Sequence, residues 1–302
     1  MLVLIQMTSS FAPLASRAQD DPSALDGPLL AVTRLHALAP ELARLAAGMP
    51  GVVAISVADL RTGHAIAVNG GENLPAASTI KIPVMVEVFR QIAIGRFTMS
   101  REVSLLDQDR DCGYGDLCEA PEGMRYTVHG LLGAMIDDSD NTAANMLIRL
   151  VGRQHINATM AGLGLAQTRL GDSIRSDGDI RVLRTSANDM LRLLEMIAAG
   201  QVVDSYACKT MLGILAGQRH NTLLPAPLPK NIVIEHKTGS LHDTLNDVGI
   251  VELRGAPYVI CVLTTHLADT DVGEKFIRRA SLLTYESFRS STSARGLSNG
   301  RL

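Results

Sequence analysis

Ser78 and Lys81 stand three residues apart at the head of an apolar stretch with helical spacing. Residues at i and i+3 share a helix face, so a hydroxyl and an amine at this spacing can meet. A serine hydroxyl becomes a useful nucleophile only when a base removes its proton. A lysine serves as that base when burial or a neighbouring cation lowers its pKa. The start of a helix adds free N–H groups and positive potential beside Ser78. Two further clusters follow in order, Ser139-Asp140-Asn141 and Lys237-Thr238-Gly239-Ser240. The first offers a hydroxyl for proton relay through Ser139 and an amide for substrate contact through Asn141. The second offers a cation and two hydroxyls able to hold a substrate carboxylate, with Gly239 allowing close backbone approach. The combined chemistry is acyl transfer through serine.

Each cluster alone has a plainer explanation. Ordinary composition puts roughly one S-x-x-K in a chain of this size by chance. Ser, Asp and Asn are favoured helix caps, and Asp140 fits such a role before the apolar run 142–151. Asn145, four residues beyond Asn141, fits a brace for a neighbouring loop. Lys237 to Ser240 reads equally as the polar exit of the apolar strand 232–234. Lysine usage shifts the balance. Of the 28 lysines and arginines only five are lysine, and two of those five fall inside the clusters. Arginine cannot act as a base, whereas a desolvated lysine can.

The elements that must position these residues follow from periodicity. Helical spacing predicts helices over 29–47, 78–94, 128–136, 142–151, 187–199, 205–216 and about 271–288. Strands are predicted over 52–59, 64–68, 232–237, 248–253 and 258–264, with Arg61-Thr62-Gly63 as a hairpin turn. Residues 169–185 read as a loop. Pro83 removes a backbone donor early in the second helix, so its first turn is expected to be irregular. Strands at both ends and helices between them predict an α/β (α+β) fold: an antiparallel sheet flanked by helices, with an inserted all-helical domain. The boundaries are 27–72 with 225–289 for the sheet domain and 73–224 for the helical domain, with the site between them.

Bulk properties narrow the options. A formal charge of −3 argues against nucleic acid as a partner. No run reaches the ~18 apolar residues of a membrane-spanning helix. Residues 1–26 read as an export signal or disordered segment, with an apolar run at 2–7 and Ala15-Ser16-Arg17-Ala18 resembling a cleavage site, but without a basic start. Residues 290–302 read as a disordered tail. Of the four cysteines, Cys112 and Cys118 flank a short loop that a disulfide could close in an exported protein, while Cys208 and Cys261 read as buried thiols. Cysteine and histidine spacing predicts no metal site, and no cofactor is implied.

The ordered triple, with Asn246-Asp247-Val248-Gly249-Ile250 after it, resembles class A β-lactamases and the wider penicillin-recognising serine hydrolases. The resemblance covers about residues 28–289. It implies the β-lactamase/transpeptidase-like fold, with Ser78 as nucleophile, Lys81 as its base and Ser139 as proton relay. It implies that Asn141, Thr238, Gly239 and Ser240 line the cleft and that Lys237 sets its electrostatics. The oxyanion hole would be the N–H groups of Ser78 and Ser240; losing one such donor typically costs ~3–4 kcal/mol. Tyr114, 25 residues before Ser139, falls where the family often has an aromatic at the cleft mouth. The chain departs from the family in one respect. Class A enzymes carry Glu-x-x-Leu-Asn, whose glutamate activates the deacylating water, and here no glutamate lies between Glu122 and Glu195. Asp172, Asp177 and Asp179 are the substitute candidates, with Lys81 as another. The expected activity is β-lactam hydrolysis by an exported monomer. The alternatives are a cell-wall peptidase or esterase of the same fold, and a penicillin-acylated sensor with negligible turnover.

Overall fold

The computed structural model describes residues 5–9, 26–176 and 182–298. Its elements in chain order are β1 (Ile5–Ser9), α1 (Asp26–Ala47), β2 (Val52–Asp59), β3 (His64–Val68), β4 (Leu74–Pro75), α2 (Lys81–Ala93), β5 (Glu102–Ser104) and β6 (Arg125–Thr127). Then come α3 (Val128–Asp137), α4 (Asn141–Val151), α5 (Arg153–Gly162), β7 (Arg169–Leu170), β8 (Leu183–Thr185), α6 (Ala187–Ala198) and α7 (Ser205–Leu215). The chain closes with β9 (Ile234–Leu241), β10 (Thr244–Val251), β11 (Tyr258–Thr265) and α8 (Thr270–Ser298).

Six strands form one antiparallel sheet in the order β1-β3-β2-β11-β10-β9. Alternation along each strand serves two cores. On β2, Val53, Ile55 and Val57 face one core, and Ala54 and Ala58 face the other. On β11, Tyr258, Ile260 and Val262 face the first, while Val259, Cys261 and Leu263 face the second. The first core is closed by α1, through Leu35, Leu38, Leu42 and Ala46 at helical spacing, and by Phe276, Ile277 and Phe288 of α8. The second is closed by α2 to α7, with small Ala54 and Ala58 letting those helices approach. Burial on both faces explains why these strands read as continuous apolar runs.

Four differences from the sequence expectations have physical reasons. The helix α5 was not expected. Gly152, at φ +86°, ends α4, and a new helix starts at once. Its polar run keeps only Ile156 and Met160 buried, so the periodic signal is thin. Ile5–Ser9, expected in a signal or disordered segment, is a strand on the outer edge of β3, with Ile5 opposite Val68 and Ser9 opposite His64. The terminal helix runs to Ser298, well into the expected disordered tail. The third motif does not leave the sheet at a polar turn: Lys237 to Ser240 lie inside β9, paired with residues 245–248 of β10.

Asn246 joins the sheet to the turn that carries Ser78. Its Nδ2 donates to the carbonyls of Pro75 (2.9 Å) and Ala76 (3.2 Å), and its Oδ1 accepts from Thr264 N (3.0 Å). The residue is fully buried. Asn246→Ala would strand these partners away from water. It is expected to cost roughly 2–4 kcal/mol, measured as a lower urea midpoint with an unchanged slope.

Candidate active site

Ser78 sits in a 3-10 turn, Ala77–Ile80, that passes directly into α2 at Lys81. The irregular first turn expected from Pro83 is therefore present, and Pro83 itself falls where helix N–H groups have no intrahelical partner. Ala77 adopts φ +46°, a sparsely populated conformation for a residue with a Cβ. The Ala76 carbonyl accepts from Thr79 N, Thr79 Oγ1 and Asn246 Nδ2, and Ala76 N donates to Leu183 O at 2.9 Å. These bonds over-determine the turn. Across from it runs the outer edge of β9. A Cβ on Gly239 would lie 3.0 Å from Ala76 O, Ala77 Cβ and Ser78 N, closer than ordinary van der Waals contact, so a larger residue would push strand and turn apart.

Lys81 and Lys237 are both completely buried. Lys81 Nζ donates to Asn141 Oδ1 (2.7 Å), to Ser139 Oγ (3.1 Å) and to the Ser139 carbonyl. Lys237 Nζ donates to the same Ser139 Oγ at 3.0 Å and to Thr238 O at 3.1 Å. With both lone pairs of that hydroxyl engaged, its own proton is free to be donated elsewhere. Ser139 holds this position in a left-handed conformation, φ +59°. Asp140 caps α4 by accepting from Ala143 N (2.7 Å) and also takes Leu117 N (2.9 Å). Asn145 braces two loops, donating to Asp109 O and Ile174 O and accepting from Ile174 N.

Burial holds the Lys81 amine well below the usual lysine range, and the Lys237 charge pushes the same way, against Asp140 and Asp111. Burial likewise brings Lys237 down to about 7, against the opposing charges of Asp247 and Asp137. Asp247 is fixed beneath the strand by Leu224 N and by His236, whose Nδ1 lies 2.9 Å from Oδ1.

A cleft of about 600 Å³ opens over Ser78. Of the expected contact residues, Ser78, Tyr114, Asn141 and Ser240 line it. Lys81, Ser139 and Lys237 are packed beneath, and Thr238 and Gly239 precede Ser240 on β9 without forming the wall. The wall also includes Ile174, Arg175, Ser176, Leu183 and His242, which sequence reasoning did not assign. Ile174, clamped by Asn145, stands in the stretch 169–185 that the sequence marks as a loop. Asp172 is exposed, with its carboxylate on Ser173 N, and is not part of the wall. Asp177 and Asp179 lie outside the described residues. Among the described residues no carboxylate lines the cleft, and no cluster suited to a metal ion is present. Cys112 and Cys118 are disulfide-bonded and close the ring that carries Tyr114, while Cys208 and Cys261 are buried thiols.

The Beta-lactamase enzyme family model matches residues 37–288, and the chain belongs to that family. A β-lactamase of Rhodobacter capsulatus is 29% identical over 251 residues, covering 80% of this chain and 84% of its own. A β-lactamase structure from Sphaerobacter thermophilus superposes with a TM-score of 0.77 at 28% identity, covering 82% of this chain and 95% of that one. The structure of PBP-A superposes with a TM-score of 0.80, also at 28% identity, over 85% and 97%. The fold is thus the β-lactamase fold, with an antiparallel sheet and flanking helices.

The buried amines make stability depend on pH. Unfolded, Lys237 keeps its proton to about 10.4; folded, it releases it at about 7. Between those values the unfolded state binds more protons, so stability rises with pH, and Lys81 acts in the same direction. Lys237→Met is expected to exceed the parent in stability most at pH 6, with the gap narrowing by pH 9. Urea midpoints at the two pH values check this, and a gap that does not change with pH contradicts it.

Proposed function

We propose that this protein is a serine β-lactamase-type hydrolase that opens β-lactams through an acyl-enzyme on Ser78. The observation that carries the reading is the Ser139 hydroxyl held between two buried amines, one of them on Lys81, three residues after Ser78. Neutral Lys81 takes the Ser78 proton as Oγ attacks the lactam carbonyl. The oxyanion is received by the N–H groups of Ser78 and Ser240, the latter on the edge strand facing the turn. As the C–N bond breaks, Ser139 donates its proton to the leaving nitrogen and is resupplied from Lys81. Ser240 on the wall meets the substrate carboxylate with Lys237 setting the electrostatics from beneath, Asn141 contacts the acyl amide, and Tyr114 stands at the mouth. The site is complete within one chain, which fits a monomer. The Cys112–Cys118 bond fits an oxidising compartment and hence export, and no helix among the described residues is long and apolar enough to cross a membrane.

Deacylation is the slow step in this reading. A base must reach the attacking water, and the wall over Ser78 offers Ile174 in place of a carboxylate. Among the described residues, Lys81 is the group left to activate that water. The same observation favours a second reading, a penicillin-binding protein whose acyl-enzyme persists. The similarity to PBP-A fits it, since a point mutant of that protein has been solved as an acyl-enzyme complex with penicillin G.

Mass-resolved acylation followed over time separates the readings. Excess chromogenic cephalosporin should give a burst followed by slow continued turnover; a single stoichiometric burst leaves only the second reading. Ser78→Ala should carry no penicilloyl adduct, and retained labelling would sink the nucleophile assignment. Ile174→Glu places a carboxylate on the cleft wall. It is expected to shorten the lifetime of the preformed adduct at least about tenfold; an unchanged lifetime shows that the loop does not limit deacylation.

A further inference from the structure

We infer that Asp111 is a positioning residue that fixes the Asn141 amide and, through it, makes the enzyme select acyl donors bearing an amide carbonyl beside the reacting bond. This inference rests on the proposed acylation of Ser78.

The side-chain amide of Asn141 is held from both ends by groups of opposite character. Its Oδ1 accepts from Lys81 Nζ at 2.7 Å, and its Nδ2 donates to Asp111 Oδ1 at 2.7 Å. A carboxylate only accepts, so the amide cannot turn over without setting its oxygen against Asp111 Oδ1 and losing that bond. One Nδ2 proton is taken by Asp111, and the second is left for a ligand in the cleft that Asn141 lines.

Asp111 is itself fixed. It is 7% exposed. Its backbone N–H donates to Thr142 Oγ1 (3.0 Å), and that hydroxyl donates back to the Asp111 carbonyl (3.2 Å). Thr142 follows Asn141 on α4, so the two side chains are brought together by a local clasp. Asp111 Oδ1 also takes Gly113 N (3.1 Å), and Oδ2 takes Ser176 N (2.7 Å) and Ser176 Oγ (3.0 Å). With four donors on its two oxygens the carboxylate has no lone pair for a water. It is therefore not the missing deacylation base. Burial pushes its pKa up, but the bonds from Asn141, Ser176 and Gly113 outweigh burial and keep it ionised. The disulfide at Cys112 closes the adjoining ring. The carboxylate thus links the cleft-wall loop at Ser176, through Asn141, to the Lys81 amine.

Asp111→Asn keeps the shape but presents an amide that can offer either end, so Asn141 is no longer forced into one orientation. The test compares acylation of Ser78 by benzylpenicillin, which has an acylamido side chain, with acylation by 6-aminopenicillanic acid, which has none. In Asp111→Asn the rate ratio of the two is expected to fall about tenfold, the size of one charge-assisted hydrogen bond. A second readout is the acid limb of the acylation pH profile. The charges acting on Lys81 are Lys237, Asp140 and Asp111; removing the anion at 111 lowers the lysine's affinity for its proton and moves that limb to lower pH. A purely structural role would slow both penicillins equally and leave the limb in place. An equal loss, or an unchanged ratio with an unmoved limb, overturns the inference. If the parent protein is not acylated by either compound, it is the Ser78 reading that fails instead. If the variant does not fold, hydrogen exchange at the Asn141 side chain of the parent decides: one slowly exchanging Nδ2 proton is expected, and free exchange of both overturns the inference.

Discussion

Two amines share one hydroxyl at the seam between the sheet and the helices, and much of the molecule is arranged around that fact. Lys237 arrives from β9, Lys81 from the first turn of α2, and Ser139 from the left-handed residue just before α4. None of the three is near another in sequence. Two like charges this close in a dry interior cannot both be comfortable. The result is a neutral lysine available at ordinary pH, achieved by burial first and by proximity second. Asp140, Asp111, Asp137 and Asp247 limit how far the two pKa values fall. The site's electrostatics are thus a balance among several elements.

The second constraint is contact between β9 and the Ser78 turn. The turn is strained at Ala77, and it persists because Asn246, Thr79 and Leu183 hold its backbone groups and because Gly239 leaves room for it. The motif glycine is used here for the absence of a side chain, since its φ is not in the left-handed range. The wall opposite β9 is built from loops, and these are tied down by side chains: Asn145 on Ile174, Ser176 on Asp111, and Arg175 on the carbonyls of Arg110 and Gln108. A rigid catalytic floor therefore meets a loop-built wall, the kind of division that lets specificity vary while chemistry is kept.

Long periodic elements were legible in the sequence. The strands 52–59 and 64–68 coincide with β2 and β3, and most helices lie within a residue or two of their expected ends. Those signals come from alternation and helical spacing, which are local. What escaped was governed by partners distant in sequence. Ile5–Ser9 is a strand because β3 offers it an edge. Lys237 to Ser240 remain extended because β10 pairs with them, although their composition reads as a turn. At the site, the residue types that do chemistry were visible as ordered motifs. Ile174 and Asp111 were not, since nothing local marks a wall isoleucine or an aspartate whose partners lie 30 and 65 residues away.

The scarcity of lysine gives the chain an unusual surface chemistry. Lys209, Lys230 and Lys275 are exposed, while Lys81 and Lys237 have no accessible surface at all. The two hidden side chains are also the two held toward the neutral form in which an amine attacks electrophiles. An acylating or alkylating reagent in solution therefore meets the three exposed lysines directly and the two buried ones only when the structure opens. Covalent marking of those two positions acts as a clock for opening of the seam, recording how often the sheet and the helices part.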